Sequence, residues 1–352
     1  MPSFVLLALL TFVSGWMAGI SRPEGSQLSP SSEAGMRAAT VAWLDTLQPA
    51  QQKQAVFGMD HAERRAWSNL PKTMFDRYGI AFGEMSDKQR ASAHRLLRRV
   101  LSSQGYLSVI GIMRADDVLH DLVAQSNASA AERYSYDYYW LGVFGDPRGD
   151  GAWGLQLDGH HLALNITATK GKVRVTPTFL GANPVENPSG KYAGTRLLGG
   201  MDTLGQELLA SLTTKQRKLA VIAEKSPGDV LAGPTKANLI AKRQGVSSID
   251  FTGEQYALLA DLVDEYFGTF RGDVYDAAIA DFRLDLAEGI HFAWLGGGTD
   301  KPYAYRLHGR RNWIEFSNVA GPGSDKLGMN HIHSIWRRLG DDYGDAMLGQ
   351  TK

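Results

Sequence analysis

The chain predicts an α+β fold, with helices outside and antiparallel or mixed strands within. Three observations carry that reading. Strand-like alternation is confined to two blocks, Trp153 to Asn165 and Tyr303 to Glu315, each preceded by long helical sequence. Four similar helix starts fall in two pairs: Leu47 to Met85 spans 38 residues and Leu212 to Phe251 spans 39. No strand–helix–strand rhythm appears, which disfavours a doubly wound dinucleotide fold. Together these predict a degenerate internal duplication, with helices followed by a strand-rich unit in each half. The halves run over 33–200 and 201–352, join near Gly199 to Asp202, and are expected to pack as one unit.

The chain opens with an almost unbroken apolar run, Phe4 to Ile20. It is short for a spanning helix and suits the apolar core of a signal peptide, although no Lys or Arg precedes it. Residues 1–21 are therefore expected to be a signal peptide, or an N-terminal anchor if uncleaved, and 22–32 (RPEGSQLSPSS) a linker. The protein is expected to be exported, periplasmic or extracellular, with a membrane-anchored form as the alternative. Any membrane contact would run through this segment alone.

Apolar residues then recur at helical spacing from Glu33 to Leu47. Pro49 fits the first position of a second helix. At Ser86, Thr213 and Thr252 a hydroxyl stands three residues before a Gln, the pattern in which each side chain bonds the other's backbone amide. Phe251 has an apolar partner, Tyr256, at the staple position. Trp153, Leu155 and Leu157 alternate with Gly154, Gln156 and Asp158, as in a strand with one buried face. After a turn at Gly159-His160-His161, Leu162 and Leu164 resume the alternation, and Lys170-Gly171-Lys172 is a tight turn. In the second half Tyr303, Tyr305 and Leu307 alternate, then Trp313, Glu315 and Ser317. Aligning Gly159 with Gly309 sets Asn165 on Glu315.

Bulk composition narrows the function. Lys+Arg is 37 and Asp+Glu is 37, so no basic field exists for a phosphate backbone, and no nucleic-acid partner is expected. There is no cysteine, which excludes disulfides and Cys-ligated zinc or iron–sulfur centres. The Gly-rich stretches Gly296-Gly297-Gly298 and Gly321-Pro322-Gly323 lack the Lys and hydroxyl of a phosphate loop and read as turns. Neither Gly-x-Ser-x-Gly nor His-Glu-x-x-His occurs.

Six of nine histidines lie in or near the strand-rich units: His160, His161, His291, His308, His331 and His333. If Asn330 to Trp336 is extended, His331 and His333 share a face. Adjacent strand residues point oppositely, so only one of His160 and His161 can join them unless a bulge intervenes. Three imidazoles suit a divalent transition metal. The metal candidates are His160, His161, His331 and His333, with Glu315 and His291 as candidate catalytic groups. A hydrogen-bonded polar cluster without metal is the competing reading. Arg196, Arg306 and Arg337 are candidate binders of a substrate carboxylate or phosphate, Asn165 and Asn183 supply directional polar groups, and Trp294 and Trp336 supply aromatic walls. Two functions stay open. One is a metal-dependent enzyme acting on a small organic substrate. The other is a metal-free small-molecule-binding or accessory protein of the cell envelope.

GHHLALN (Gly159 to Asn165), TPTFLGANP (Thr176 to Pro184), IHFAWLGG (Ile290 to Gly297) and NHIHSIWR (Asn330 to Arg337) together resemble a large bacterial family, the domain of unknown function numbered 3500. The resemblance runs from Met36 to Leu348 and includes Asp341-Asp342-Tyr343-Gly344. It implies a site at His160, His161, Asn165, Asn183, His291, Glu315, His331, His333 and Arg337, and it implies export. It implies no activity.

Overall fold

The computed structural model describes residues 32–236, 242–296, 301–320 and 329–350. The apolar N-terminal segment, the linker before Ser32, Gly297-Gly298 and Gly321-Pro322-Gly323 lie outside the described residues.

The paired helix starts have a physical reason. Helices α1 (Ser32–Leu44), α2 (Pro49–Ala55) and α3 (Asp87–Val100) open the first half, and α6 (Gly199–Ser211), α7 (Thr214–Ala220) and α8 (Gly253–Phe267) open the second. At α3 the Ser86 hydroxyl accepts from Gln89 N, while Gln89 Oε1 accepts from Ser86 N at 2.8 Å. Thr213 with Gln216 and Thr252 with Gln255 repeat this at α7 and α8. The glutamines also bond each other across helices. Gln89 Nε2 donates to Gln51 Oε1 at 2.7 Å, and Gln216 Nε2 donates to Gln255 Oε1 at 2.9 Å. One amide thus satisfies its own cap and its neighbour's, and the spacing of 38 or 39 residues brings the two starts side by side. Phe251 and Tyr256 meet edge to face as the staple, 6.1 Å between centroids.

Helices α4 (Ser103–Ala124) and α5 (Ala128–Ala131) complete the first half, and α9 (Asp273–Glu288) the second. Among the described residues no helix is long and apolar enough to cross a membrane.

The strands are β1 (Val56–Phe57), β2 (Ile80–Ala81), β3 (Tyr139–Gly145), β4 (Trp153–Gly159), β5 (Leu162–Thr169), β6 (Lys172–Arg174), β7 (Thr178–Ala182), β8 (Val221–Ala223), β9 (Val246–Ser247), β10 (His291–Leu295), β11 (Tyr303–His308), β12 (Asn312–Ala320) and β13 (Met329–Arg338). They form one mixed sheet, which makes the class α+β. The two strand-rich units join edge to edge where β7 lies antiparallel to β13. Outward from that seam the order is β5, β4, β3, β1 on one side and β12, β11, β10, β8 on the other. The short strands β1 and β8 run parallel to β3 and β10 respectively, and β2 and β9 lie antiparallel to the same two strands.

One face, carrying Leu180, Tyr305, Phe316 and Trp336, packs under the helices. Trp336 lies 4.5 Å from Phe267 between ring centroids, and Tyr305 shares a hydrogen bond with Tyr266. The opposite face carries Ala163, Phe179 and Ile335, which form a core cluster with Trp67, Val230 and Tyr343. Here the structure corrects the expectation of strands with one wet face: every residue of β4 and β5 is buried. The long connections after β1 and β8 and the segment around Tyr343 cover the second face, and Trp67 Nε1 donates to Tyr343 Oη at 3.0 Å to tie two of them together. Polar strand residues then need internal partners, and several find them: Gln156 Nε2 donates to Asn165 Oδ1 at 2.9 Å, and at the matching cross-strand pair Arg306 Nε donates to Glu315 Oε1 at 2.8 Å.

Candidate metal centre

His331 and His333 alternate along β13, so the pleat puts both on the face away from the helices. Opposite His333 in the seam is Gly181 of β7. A Cβ there would sit 2.8 Å from Ile332 O and 3.3 Å from His161 Cβ, so the missing side chain is the space the His161 ring base occupies. His161 arrives from the two-residue turn between β4 and β5, where it adopts φ 61°, a left-handed conformation that costs a side-chain-bearing residue on the order of 1–3 kcal/mol. Backbone bonds hold it there: His161 N donates to Asn69 O at 3.3 Å, and Gly181 N donates to His161 O at 2.7 Å.

The three rings converge through their Nε2 atoms. His331 Nε2 lies 2.9 Å from His161 Nε2 and 3.0 Å from His333 Nε2. On the far side of His333, Nδ1 lies 2.7 Å from Asp229 Oδ1, so Nδ1 donates to the carboxylate and Nε2 is turned toward the other two rings. Burial, then the neighbouring imidazoles, hold His161 and His331 well below the usual histidine range, so both rings are neutral at pH 7. Each imidazole nitrogen has one in-plane site, either a proton or a lone pair. His331 Nε2 cannot satisfy two neighbours with one site. A shared cation can, and nitrogens on one ion with bonds of about 2.0–2.1 Å stand roughly 3.0–3.4 Å apart. His161, His331 and His333 could therefore hold a metal ion.

Around this set, His160 stacks on His161 at 3.7 Å between centroids but turns its Nδ1 to Asp116 Oδ1 at 2.6 Å. Asp116 also accepts from Tyr139 Oη at 3.0 Å. Burial raises the Asp116 carboxyl, and His160 opposes that rise. For Asp229, burial acts upward too, but the bonds from His333 and Val230 N outweigh it and hold the carboxyl below its usual range. Ser317 pairs with His333 across β12 and β13, is fully buried, and has a hydroxyl without a partner among the described residues.

The other sequence candidates lie elsewhere. Glu315 is two residues along β12 from Ser317; its Oε1 accepts from Arg306 and its Oε2 from Ala232 N at 2.7 Å. His291 pairs with His308 on β10 and β11, away from the seam. Asn165 is spent on Gln156 and on Pro177 O. Asn183 is buried just past the end of β7, before Pro184. Arg196 pairs with Asp202 and lines a hollow with Glu265 under the helices. Arg337 is buried and clamps Ala232 O, Gly233 O and Asp342 Oδ2, each at 2.7 Å. Trp294 stacks on Tyr303 and Trp336 bonds Asn312 Oδ1; both are core on the helix side.

Sequence reading missed Asp229, Asp116 and Ser317. Asp116 left a trace: it lies three residues from both Met113 and Leu119, on the buried stripe of α4, where a carboxylate needs a partner. Asp229 sits in an irregular connection and carries no periodic signal.

A single mixed sheet whose β7–β13 seam gathers three imidazoles defines a protein with a candidate metal centre. Residues 29–345 match the family described as "Protein of unknown function (DUF3500)", and the chain belongs to that family. No curated protein and no solved structure matches it.

Proposed function

We propose that the protein is an exported metal-dependent enzyme acting on a small organic substrate, with a divalent transition metal held by His161, His331 and His333. The gathering of three histidine nitrogens within 4.8 Å of one another carries this reading. Three histidines leave at least one coordination position for water or substrate, and a metal there would acidify bound water or polarise a carbonyl. Asp229 orients His333, and Ser317 on the adjoining strand offers a hydroxyl to a molecule at the open position. Glu315, already bonded twice, fits a positioning role better than that of base. Export rests on the apolar run at Phe4 to Ile20. The matching strand order of the two halves, with their twin glutamine clasps, supports a duplicated unit.

Elemental analysis of protein purified without an affinity tag tests the metal. About one equivalent is expected in the wild type, and less than roughly a tenth in His331→Ala and His333→Ala. His161→Asn keeps a residue that tolerates the left-handed turn, so its loss of metal separates ligation from strain. Folded wild-type protein that stays metal-free when dialysed against zinc, manganese, iron(II) and copper would sink the proposal. The convergence of imidazoles disfavours the envelope-accessory reading, whose aromatic walls are core.

A further inference from the structure

A second polar hollow lies on the same sheet face, three strands from the seam on the outer side of the second half. It is a cavity of about 40 Å³ lined by Lys242, Gln244, Arg306, His308 and Trp313, among others. That volume exceeds what one water needs and suits a small charged head group. Among the described residues its walls hold buried nitrogens without a hydrogen-bond partner. His308 and Trp313 are 6 % and 3 % exposed, and among the described residues neither His308 Nδ1 nor Trp313 Nε1 has a partner. His291 Nδ1, on the adjoining strand, is likewise buried without one among them. An indole N–H can only donate. Among the described residues no carboxylate forms an ion pair with Lys242 or with Arg243 beside it. Arg306 gives its Nε to Glu315 and stands 5.7 Å over the Trp313 ring.

The first half shows what is missing. Counting from Gly159 and Gly309, Asp158 occupies the place of His308. The Asp158 carboxylate pairs ionically with Arg77, Oδ2 lying 3.2 Å from Nε, and accepts from Ser68 N at 3.5 Å. Arg77 precedes Gly79, at φ 104°, and Arg243 precedes Gly245, at φ 105°. The glycines meet the same element: a Cβ on either would strike the backbone of the third strand of its half, at Leu141 O or Phe292 O. The two arginines therefore hold equivalent places. One half contains its own anion. The other has the cations and donors, with an imidazole where the anion stood.

We propose that this hollow binds the carboxylate group of a small organic acid, which takes the position that Asp158 fills in the first half. The site is distinct from the imidazole cluster and does not depend on its metal.

Nitrogen-15 NMR of the Trp313 indole, assigned with Trp313→Phe, reads this hollow alone. Sodium acetate titrated into the full chain, against sodium chloride at equal ionic strength, should shift that signal saturably. Lys242→Ala, an exposed change, should weaken binding by about fivefold. His308→Asp should abolish it by restoring the internal carboxylate. Absence of a saturable shift, or equal affinity in wild type and Lys242→Ala, would overturn the proposal. So would saturation by inorganic phosphate with none by acetate, which would assign a phosphate site instead. If His308→Asp does not fold, Lys242→Ala alone decides.

Discussion

Two hairpin turns, one in each half, rest on a buried aspartate from a long helix, and the two aspartates do different work. Under the β11–β12 turn, Asp285 of α9 accepts from the backbone N–H groups of Arg310, Arg311 and Asn312 and from Asn312 Nδ2, all at 2.9–3.0 Å. Under the β4–β5 turn, Asp116 of α4 accepts from two side chains, His160 and Tyr139. The first arrangement locks a backbone. The second leaves that backbone to be held by Tyr139 Oη, which donates to His160 O at 2.6 Å, and by Asn69 and Gly181, which bond His161 in a left-handed conformation that carries its ring to the seam. Two similarly placed carboxylates thus serve a backbone under one turn and ring placement under the other.

The sharpest way to break this comparison is Asp285→Ala. It strands at least four donors and the Arg311 ion pair, and should cost about 3–5 kcal/mol, read from urea unfolding. Asp116→Ala should cost about 1–3 kcal/mol. Equal costs would mean that the two carboxylates have the same job. A second contrast is in pH. Burial, with Arg243, His291 and Arg306 around it, pushes His308 down to about 4, whereas the unfolded group titrates near 6.5. Between those values the unfolded chain binds more protons, so stability is full above pH 6.5 and falls as pH drops through the window. The loss should reach at most about 3 kcal/mol in chloride buffers, and His308→Gln should remove that part of the slope. The mildest change is Asp229→Asn. It keeps an acceptor for His333 but loses the charge, and metal affinity by competitive chelation should fall about 10–100-fold, with the melting temperature of metal-free protein nearly unchanged. A large drop in that melting temperature would make Asp229 a structural residue.

Local rules made much of this legible. Caps followed by Gln predicted helix starts because each bond spans three residues, and the His-x-His pair shares a face because a strand has a period of two. The strand period does not govern the adjacent pair His160-His161, which lies in the turn with its rings stacked; the left-handed φ at His161 and the bond from His160 to Asp116 set where each ring nitrogen points. What stayed hidden depends on distant contacts. Trp294, Trp336 and Arg337 look like pocket walls in sequence, but they are core because helices cover one face and irregular connections the other. Asp229 reaches His333 across 104 residues from a segment with no pattern. The twin Arg-x-Gly segments at Arg77 and Arg243 were within reach of a repeat search, and only the shared φ of their glycines gives them meaning.

The seam also has a temporal meaning. His161 and His331 are 170 positions apart, and His331 and His333 both belong to the final described strand. A chain still being synthesised therefore presents one imidazole of the three. If the rings hold a metal as proposed, capture waits until β13 slots between β7 and β12, and the ion acquired would be one present where folding finishes, not where translation begins.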